Sequence, residues 1–186
     1  SLRVFILRGA GEKACVSGAD ISEFEEKRNS QEQRDAYEAA FDEAQNRLAH
    51  FAKPVIAMIQ GYCVGGGLAL ALNTDIRIAT EDSVFAIPAA KLGLGYGYES
   101  IKTLTSIVGP SFAKDILYSA RFLKTEEALR IGLVNQVVSR EEHREKVLDY
   151  AVTVAGNAPL TIKSIKAAVS QVVKDPGQAS PDSIAE

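Results

Sequence analysis

Apolar and polar positions divide the chain into alternating strand-like and helix-like stretches. The clearest strand is Pro54-Val55-Ile56-Ala57-Met58-Ile59, an unbroken apolar run rich in β-branched residues and too short for a helix. Similar patterns predict strands over 4–8, 75–79, 84–87 and 133–138. Over 31–51 the pattern changes. Tyr37, Ala40, Phe41, Ala44, Leu48 and Phe51 recur every three or four positions in a charged background, which predicts a helix with one apolar stripe and a solvated face. Lys53-Pro54 ends it. Leu68–Leu72 favours a short helix. Helices over 100–107 and 111–119 are separated by Gly109-Pro110. Thr125 supplies a cap, and Glu126 and Glu127 early acids, for a helix stopping at Gly132. Two more follow over 140–156 and 159–174, the second opening on Pro159. Strands separated by helices indicate an α/β chain, read here as a core over 1–138 and a helical segment over 139–186.

Between the central strand and the Leu68–Leu72 helix lies Gly61-Tyr62-Cys63-Val64-Gly65-Gly66-Gly67. Glycines let another molecule approach the backbone, and the first turn of a helix has N–H groups without intrahelical partners. Such a junction can present amide donors to a negatively charged oxygen. A second small-residue stretch, Lys13 to Ile21, centres on Ser17-Gly18-Ala19-Asp20. Alone it also reads as a plain loop leading into a helix capped by Asp20 or Ser22. The segment 88–100 reads as a loop with three glycines and two tyrosines.

Composition removes several classes. A net charge of −3 with no run of Lys or Arg argues against broad nucleic-acid binding. The apolar runs are broken too early to span a bilayer, and the opening residues lack a secretory-leader pattern. Cys15 and Cys63 lack metal-ligand spacing and read as small buried apolar residues, compatible with a reducing cytoplasm. No metal site is expected. The chain opens directly on a strand-like stretch and closes on the turn-rich 174–181, so further segments are expected at both ends.

Taken together, Ser17-Gly18-Ala19-Asp20-Ile21, Gly61-Tyr62-x-x-Gly65-Gly66-Gly67 and Asp75 resemble the crotonase superfamily, the enoyl-CoA hydratases and isomerases. The likeness continues through Phe85-Ala86-x-Pro88, Leu92-Gly93, Ala128-x-x-x-Gly132-Leu133-Val134 and Ala158-Pro159. It implies a spiral of ββα units followed by C-terminal helices that form trimers or dimers of trimers. The chain would then lack the family's first strands and helix and its final helices. It also implies an acyl-CoA substrate of the kind met in fatty acid metabolism, with no cofactor beyond that CoA. The main-chain N–H groups of Ala19 and Gly66 would hold the thioester oxygen as an enolate forms. By the same match, Lys13, Ser17, Asp20, Ile21, Tyr62, Gly65, Pro88 and Leu92 would line the CoA and acyl site. Lys13 reads equally as a solvated lysine.

The match breaks where family hydratases carry two glutamates. Ala69 and Ala89 stand at those positions. A methyl group transfers no proton, so standard two-glutamate hydration is not expected. Two substitutes lie in the 91–100 segment. Tyr96 is similar to a tyrosine of the superfamily's methylmalonyl-CoA decarboxylases, where it could orient a carboxylate, although those enzymes have histidine where Ala19 stands. Glu99 is either a relocated acid, raised in pKa by burial, or an ordinary first-turn helix acid. Tyr96 and Tyr98 also read as packing aromatics. The readings are thus an enolate-forming lyase or isomerase, a decarboxylase using Tyr96, or an inactive acyl-CoA-binding scaffold.

Overall fold

The strand-like runs pair in two four-stranded sheets in the computed structural model, which describes residues 2–16 and 30–173. The first sheet has the order β1 (Phe5–Arg8), β3 (Val55–Ile59), β5 (Ile76–Thr80), β8 (Gln136–Val138), all parallel. The second has β2 (Ala14–Val16), β4 (Tyr62–Val64) and β6 (Val84–Ala86) in parallel, with β7 (Leu123–Lys124) antiparallel at its edge. The chain passes from a strand of the first sheet to one of the second, then into a helix, three times. The helices closing these turns are α1 (Gln31–Ala49), α2 (Gly66–Leu72) and α3 (Tyr98–Ser119). This is a spiral of ββα units. After α3 come α4 (Thr125–Arg130), α5 (His143–Gly156) and α6 (Pro159–Val172).

Alternation along β3 and β5 sends side chains to two cores. Ala57, Ile59 and Ala79 face the main core between the sheets, with Leu68 and Leu72 of α2 and Leu104 and Ile116 of α3. Ile56 and Ile78 face outward and meet Val147 and Ala151 of α5. Polar ties fix the ends of these strands. Asp75 accepts the Val55 N–H (2.7 Å) and the Lys166 ammonium of α6 (2.7 Å) on one carboxylate oxygen. The buried Arg77 guanidinium donates to the carbonyls of Leu133 (2.8 Å) and Thr74 (2.9 Å). Burial pulls its pKa down to about 10, with Asp75 resisting, so it stays charged at neutral pH.

Several sequence expectations need correction. The glycine-rich junction is not a direct strand-to-helix turn, because β4 is inserted within it; likewise β2 opens the stretch read as a loop from Lys13. The 88–100 loop begins with a 3₁₀ turn, Pro88–Leu92, closed by left-handed Gly93. The break expected at Gly109-Pro110 needs no correction: Gly109 has a non-helical backbone (φ 77°, ψ 163°) that divides Tyr98–Ser119 into two helical stretches. Thr125 does not cap α4. Lys124 holds that position, and the Thr125 hydroxyl donates to the carbonyls of Glu81 (2.6 Å) and Ser83 (3.1 Å). On α1, Ala40 and Ala44 are exposed, whereas Phe41, Gln45 and Leu48 face inward. The helix cap expected at Asp20 or Ser22, and the stretch 174–181, lie outside the described residues.

Gly67 decides how closely α2 settles on β2. A Cβ there would run into the backbone carbonyl and Cβ of Val16. A Cβ at Gly11 meets nothing within 4 Å. We therefore expect Gly67→Ala to destabilise the fold by about 1–3 kcal/mol, the usual cost of overpacking, and Gly11→Ala to leave it nearly unchanged. Urea midpoints check this; equal midpoints for the two variants would contradict the close approach.

Candidate active site

The backbone from β3 to α2 is shaped by two left-handed glycines. Gly61 (φ 64°) reverses the chain beneath the Lys13 carbonyl, where any Cβ would collide. That carbonyl accepts the Tyr62 N–H (3.1 Å), which sets β4 against β2. Gly65 (φ 57°, ψ −125°) then turns β4 into α2. The Gly65 N–H is taken by the Ala86 carbonyl of β6 (2.8 Å), and the Gly65 carbonyl accepts the Ala69 N–H (3.1 Å). Gly66 is the next residue, at the head of α2, and its N–H has no carbonyl one turn earlier in the helix. The Phe41 ring of α1 stands 3.3 Å from where a Gly66 Cβ would be. The local fold thus commits the amide of Gly65 to the sheet and leaves that of Gly66 as the helix-head donor.

Ala69 is buried in α2. Ala89, in the 3₁₀ turn, and Tyr96 both pack against the main core. α2 and the 3₁₀ turn both rest on α3, so these residues belong to one neighbourhood. The Tyr96 hydroxyl is buried and has no hydrogen-bond partner among the described residues. Burial pushes its pKa up to about 12, the Cys63 sulfur adding to the shift and the nearby Ser100 hydroxyl, which donates to Gln45 and does not meet the phenol in hydrogen-bond geometry, opposing it. The phenol is therefore a neutral donor at any physiological pH. Cys15 and Cys63 are both buried and free, and the proximity of Cys15 together with burial raises the Cys63 thiol well above its ordinary range.

Other candidates lie at or near the surface. The side chain of Lys13 is exposed, Leu92 is exposed, and Tyr62 lies on the surface against the Phe122 ring, edge to face at 6.5 Å. Pro88 is half-buried at the start of the 3₁₀ turn. Glu99 is exposed in the first turn of α3, so the burial that would have made it unusual is absent; Tyr98 is exposed beside it. Ser17, Ala19, Asp20 and Ile21 lie outside the described residues. Among the described residues, no cluster of His, Cys, Asp or Glu could hold a metal ion.

One group escaped the sequence reading. Gln45 is buried on α1, and its side-chain carbonyl accepts from Asn73 at the end of α2 (3.1 Å) and from the Ser100 hydroxyl of α3 (3.1 Å). Asn73 also donates to the Ala69 carbonyl (2.9 Å). This joint ties the three helices around Gly66, Ala69 and Tyr96. Its signal was available: Gln45 lies four residues after Phe41 and three before Leu48, a polar side chain on an apolar stripe.

Comparison with known proteins gives consistent relatives. The family model described as enoyl-CoA hydratase/isomerase matches residues 1–182. A short-chain-enoyl-CoA hydratase of Clostridium acetobutylicum is 38% identical over 166 residues, 89% of this chain and 63% of that protein. A crotonyl-CoA hydratase of Syntrophomonas wolfei is 35% identical over 171 residues, 92% of this chain and 65% of its own. A crystal structure of an enoyl-CoA hydratase/carnithine racemase from Magnetospirillum magneticum superposes with a TM-score of 0.93 at 36% identity, covering 100% of this chain and 69% of the other. An enoyl-CoA hydratase from Bacillus anthracis gives 0.89 at 32% identity, covering 95% and 68%. The chain therefore spans less than two thirds of the length of these curated relatives.

An unpartnered buried hydroxyl costs free energy, so Tyr96→Phe should leave the ligand-free protein as stable as the parent, or more stable by up to about 1–3 kcal/mol. Ionisation adds a second signature. With the folded pKa raised to about 12, the unfolded chain loses this proton first, and stability falls as pH rises from about 10 towards 12. Tyr96→Phe should lose that part of the alkaline decline. Denaturation at pH 8 and pH 11 measures both; a marked loss of stability at pH 8 would show that the hydroxyl has a partner.

Proposed function

The chain belongs to the enoyl-CoA hydratase/isomerase family, and from that membership we propose an enzyme that stabilises the enolate of an acyl-CoA thioester. The main-chain N–H groups of Ala19 and Gly66 hold the thioester oxygen. The observation that carries this reading is the backbone around Gly65 and Gly66, which spends one amide in the sheet and leaves the next at a helix head. Donors fixed in a dry site act on charge as it develops, and one such donor is worth about 2.7–4 kcal/mol.

The reaction proposed is not standard hydration. Ala69 and Ala89 contribute methyl groups where that route needs a carboxylate pair, and general acid–base catalysis commonly supplies about 10²–10⁴-fold. A reaction that reaches the enolate without a base suits the site better. In decarboxylation of a malonyl-type thioester, the bond from Cα to the carboxylate carbon breaks, CO₂ leaves, and the electron pair enters the enolate. The negative charge settles on the oxygen facing the two amides, and Cα then takes a proton from water. The buried, unpartnered Tyr96 hydroxyl favours this second reading, since it can donate to the departing carboxylate and hold it out of the enolate plane. Isomerisation of 3-enoyl thioesters and a non-standard hydration remain within the same enolate chemistry.

We further propose that the protein acts in the cytoplasm as a homotrimer or dimer of trimers, without metal or any cofactor besides the CoA of its substrate. The exposed face of α6, with Ile165, Val169 and Val172, supports association. Among the described residues no helix is long and apolar enough to cross a membrane.

The test is steady-state turnover of crotonyl-CoA, a 3-enoyl-CoA, malonyl-CoA and methylmalonyl-CoA. We expect turnover of at least one, slow hydration of crotonyl-CoA, and a loss of decarboxylation of about tenfold or more in Tyr96→Phe, that of a hydrogen bond to a charged group. An unchanged rate removes Tyr96 from the mechanism. Tight acyl-CoA binding with no turnover would leave a binding scaffold instead.

A further inference from the structure

Gln45 is the only buried side chain among the described residues of α1; the others are exposed or half-buried. The one side chain that α1 sends fully into the interior is thus polar. Its partners decide which atom makes the contact. The Ala69 carbonyl only accepts, so the Asn73 atom 2.9 Å from it is the side-chain nitrogen. That nitrogen lies 3.1 Å from Gln45, so the Gln45 atom facing it is the oxygen. The same oxygen takes a second hydrogen bond, from the Ser100 hydroxyl in the first turn of α3 (3.1 Å). One acceptor on α1 therefore gathers a donor from the end of α2 and another from the start of α3.

This link leads to the candidate oxyanion donor. Phe41 lies one turn before Gln45 on α1, and its ring stands 3.3 Å from where a Gly66 Cβ would be. α2 has only seven residues, Gly66–Leu72, with Asn73 as its C-cap. The Asn73 hydrogen bond and the Phe41 ring thus act on the two ends of one short rod. The Gly66 N–H has no carbonyl one turn earlier to hold it. Its direction and its cover depend on how α1 and α2 are held together.

We propose that Gln45 is a positioning residue. Through its side-chain oxygen it pins α1 to α2 and α3, which keeps the Phe41 ring against Gly66 and the Gly66 N–H aimed. The effect on catalysis rests on that N–H being the oxyanion donor; the positioning itself does not.

Gln45→Leu removes the acceptor, whereas Gln45→Glu keeps an acceptor oxygen in either protonation state. Amide hydrogen exchange at Gly66, followed by NMR on the ligand-free chain, reads the cover directly. We expect exchange about tenfold faster in Gln45→Leu and within about twofold of the parent in Gln45→Glu, with Ile56 and Ile78 of the central sheet unchanged in both. Asn73→Ala cuts the link from the α2 side, should give the same increase, and keeps the test open if Gln45→Leu fails to fold. On the best acyl-CoA substrate, kcat should fall about 10–10²-fold in Gln45→Leu, the effect of a misplaced catalytic group, with KM within about threefold of the parent. Gln45→Glu should restore kcat. Unchanged Gly66 exchange in both Gln45→Leu and Asn73→Ala, or an equal increase in Gln45→Glu, would overturn the positioning. Faster exchange with unchanged kcat would overturn its effect on catalysis. Faster exchange in a chain whose parent turns over no thioester would support the positioning and remove the oxyanion reading alone.

Discussion

The contact on which the rest of the structure depends is that between α2 and the end of β2. It is closer than any side chain at position 67 would permit, because the Val16 backbone occupies the space where a Cβ would stand. From it follow the direction of α2, the position of the Gly66 amide at its head, and the seating of Ala69 behind that amide. The glycines of this stretch do different work. Gly65 supplies a left-handed turn and Gly67 a close approach within the chain itself. Only Gly66 is left to face something else, under the ring of Phe41.

A site arranged this way separates two parts of thioester chemistry. On the proposed reading, holding an oxyanion falls to main-chain amides fixed by the fold, and the Gly66 N–H at the head of α2 is the candidate among the described residues. Moving protons needs side chains, and the two positions where the family resemblance would place carboxylates, Ala69 and Ala89, hold alanines. What the neighbourhood has instead is a neutral phenol, kept protonated by its burial, and a helix joint built on Gln45 that holds α1, α2 and α3 together. Chemistry that generates its own carbanion by losing a leaving group makes the least demand on such a site.

Much of this was legible in the residue pattern, and the failures have physical causes. β1 and β3 announced themselves because four or five apolar residues in succession suffice for a strand signal, and β5 through Ile76, Ile78 and Ala79 around Arg77. β2 and β4 did not, since their three residues each lie among small and glycine residues that read as loops, whereas the equally short β6 and β8 carry apolar runs that signal a strand. The helix-head amide could be read from the glycines, and the family resemblance already named Gly66; the Gly65-to-Ala86 hydrogen bond adds the reason its neighbour is not the one left over. Exposure was equally hidden. Glu99 and Tyr62 sit close in sequence to the site and are exposed, while His143, in the polar run Arg140-Glu141-Glu142-His143-Arg144, is buried, with a bond to Ile78 that no local pattern predicts.

The central claim is that the Gly66 N–H does chemical work, and one substitution isolates it. Proline at the first position of a helix removes an N–H that has no intrahelical partner, and Gly65 before it is already non-helical, so Gly66→Pro keeps the fold's own hydrogen bonds. Gly66→Ala, which keeps the donor, is the control for crowding against Phe41. On the best acyl-CoA substrate, kcat for Gly66→Pro should fall about 10²–10³-fold, the effect of losing one oxyanion donor, with a melting curve close to that of Gly66→Ala. Equal kcat in the two variants would contradict the account.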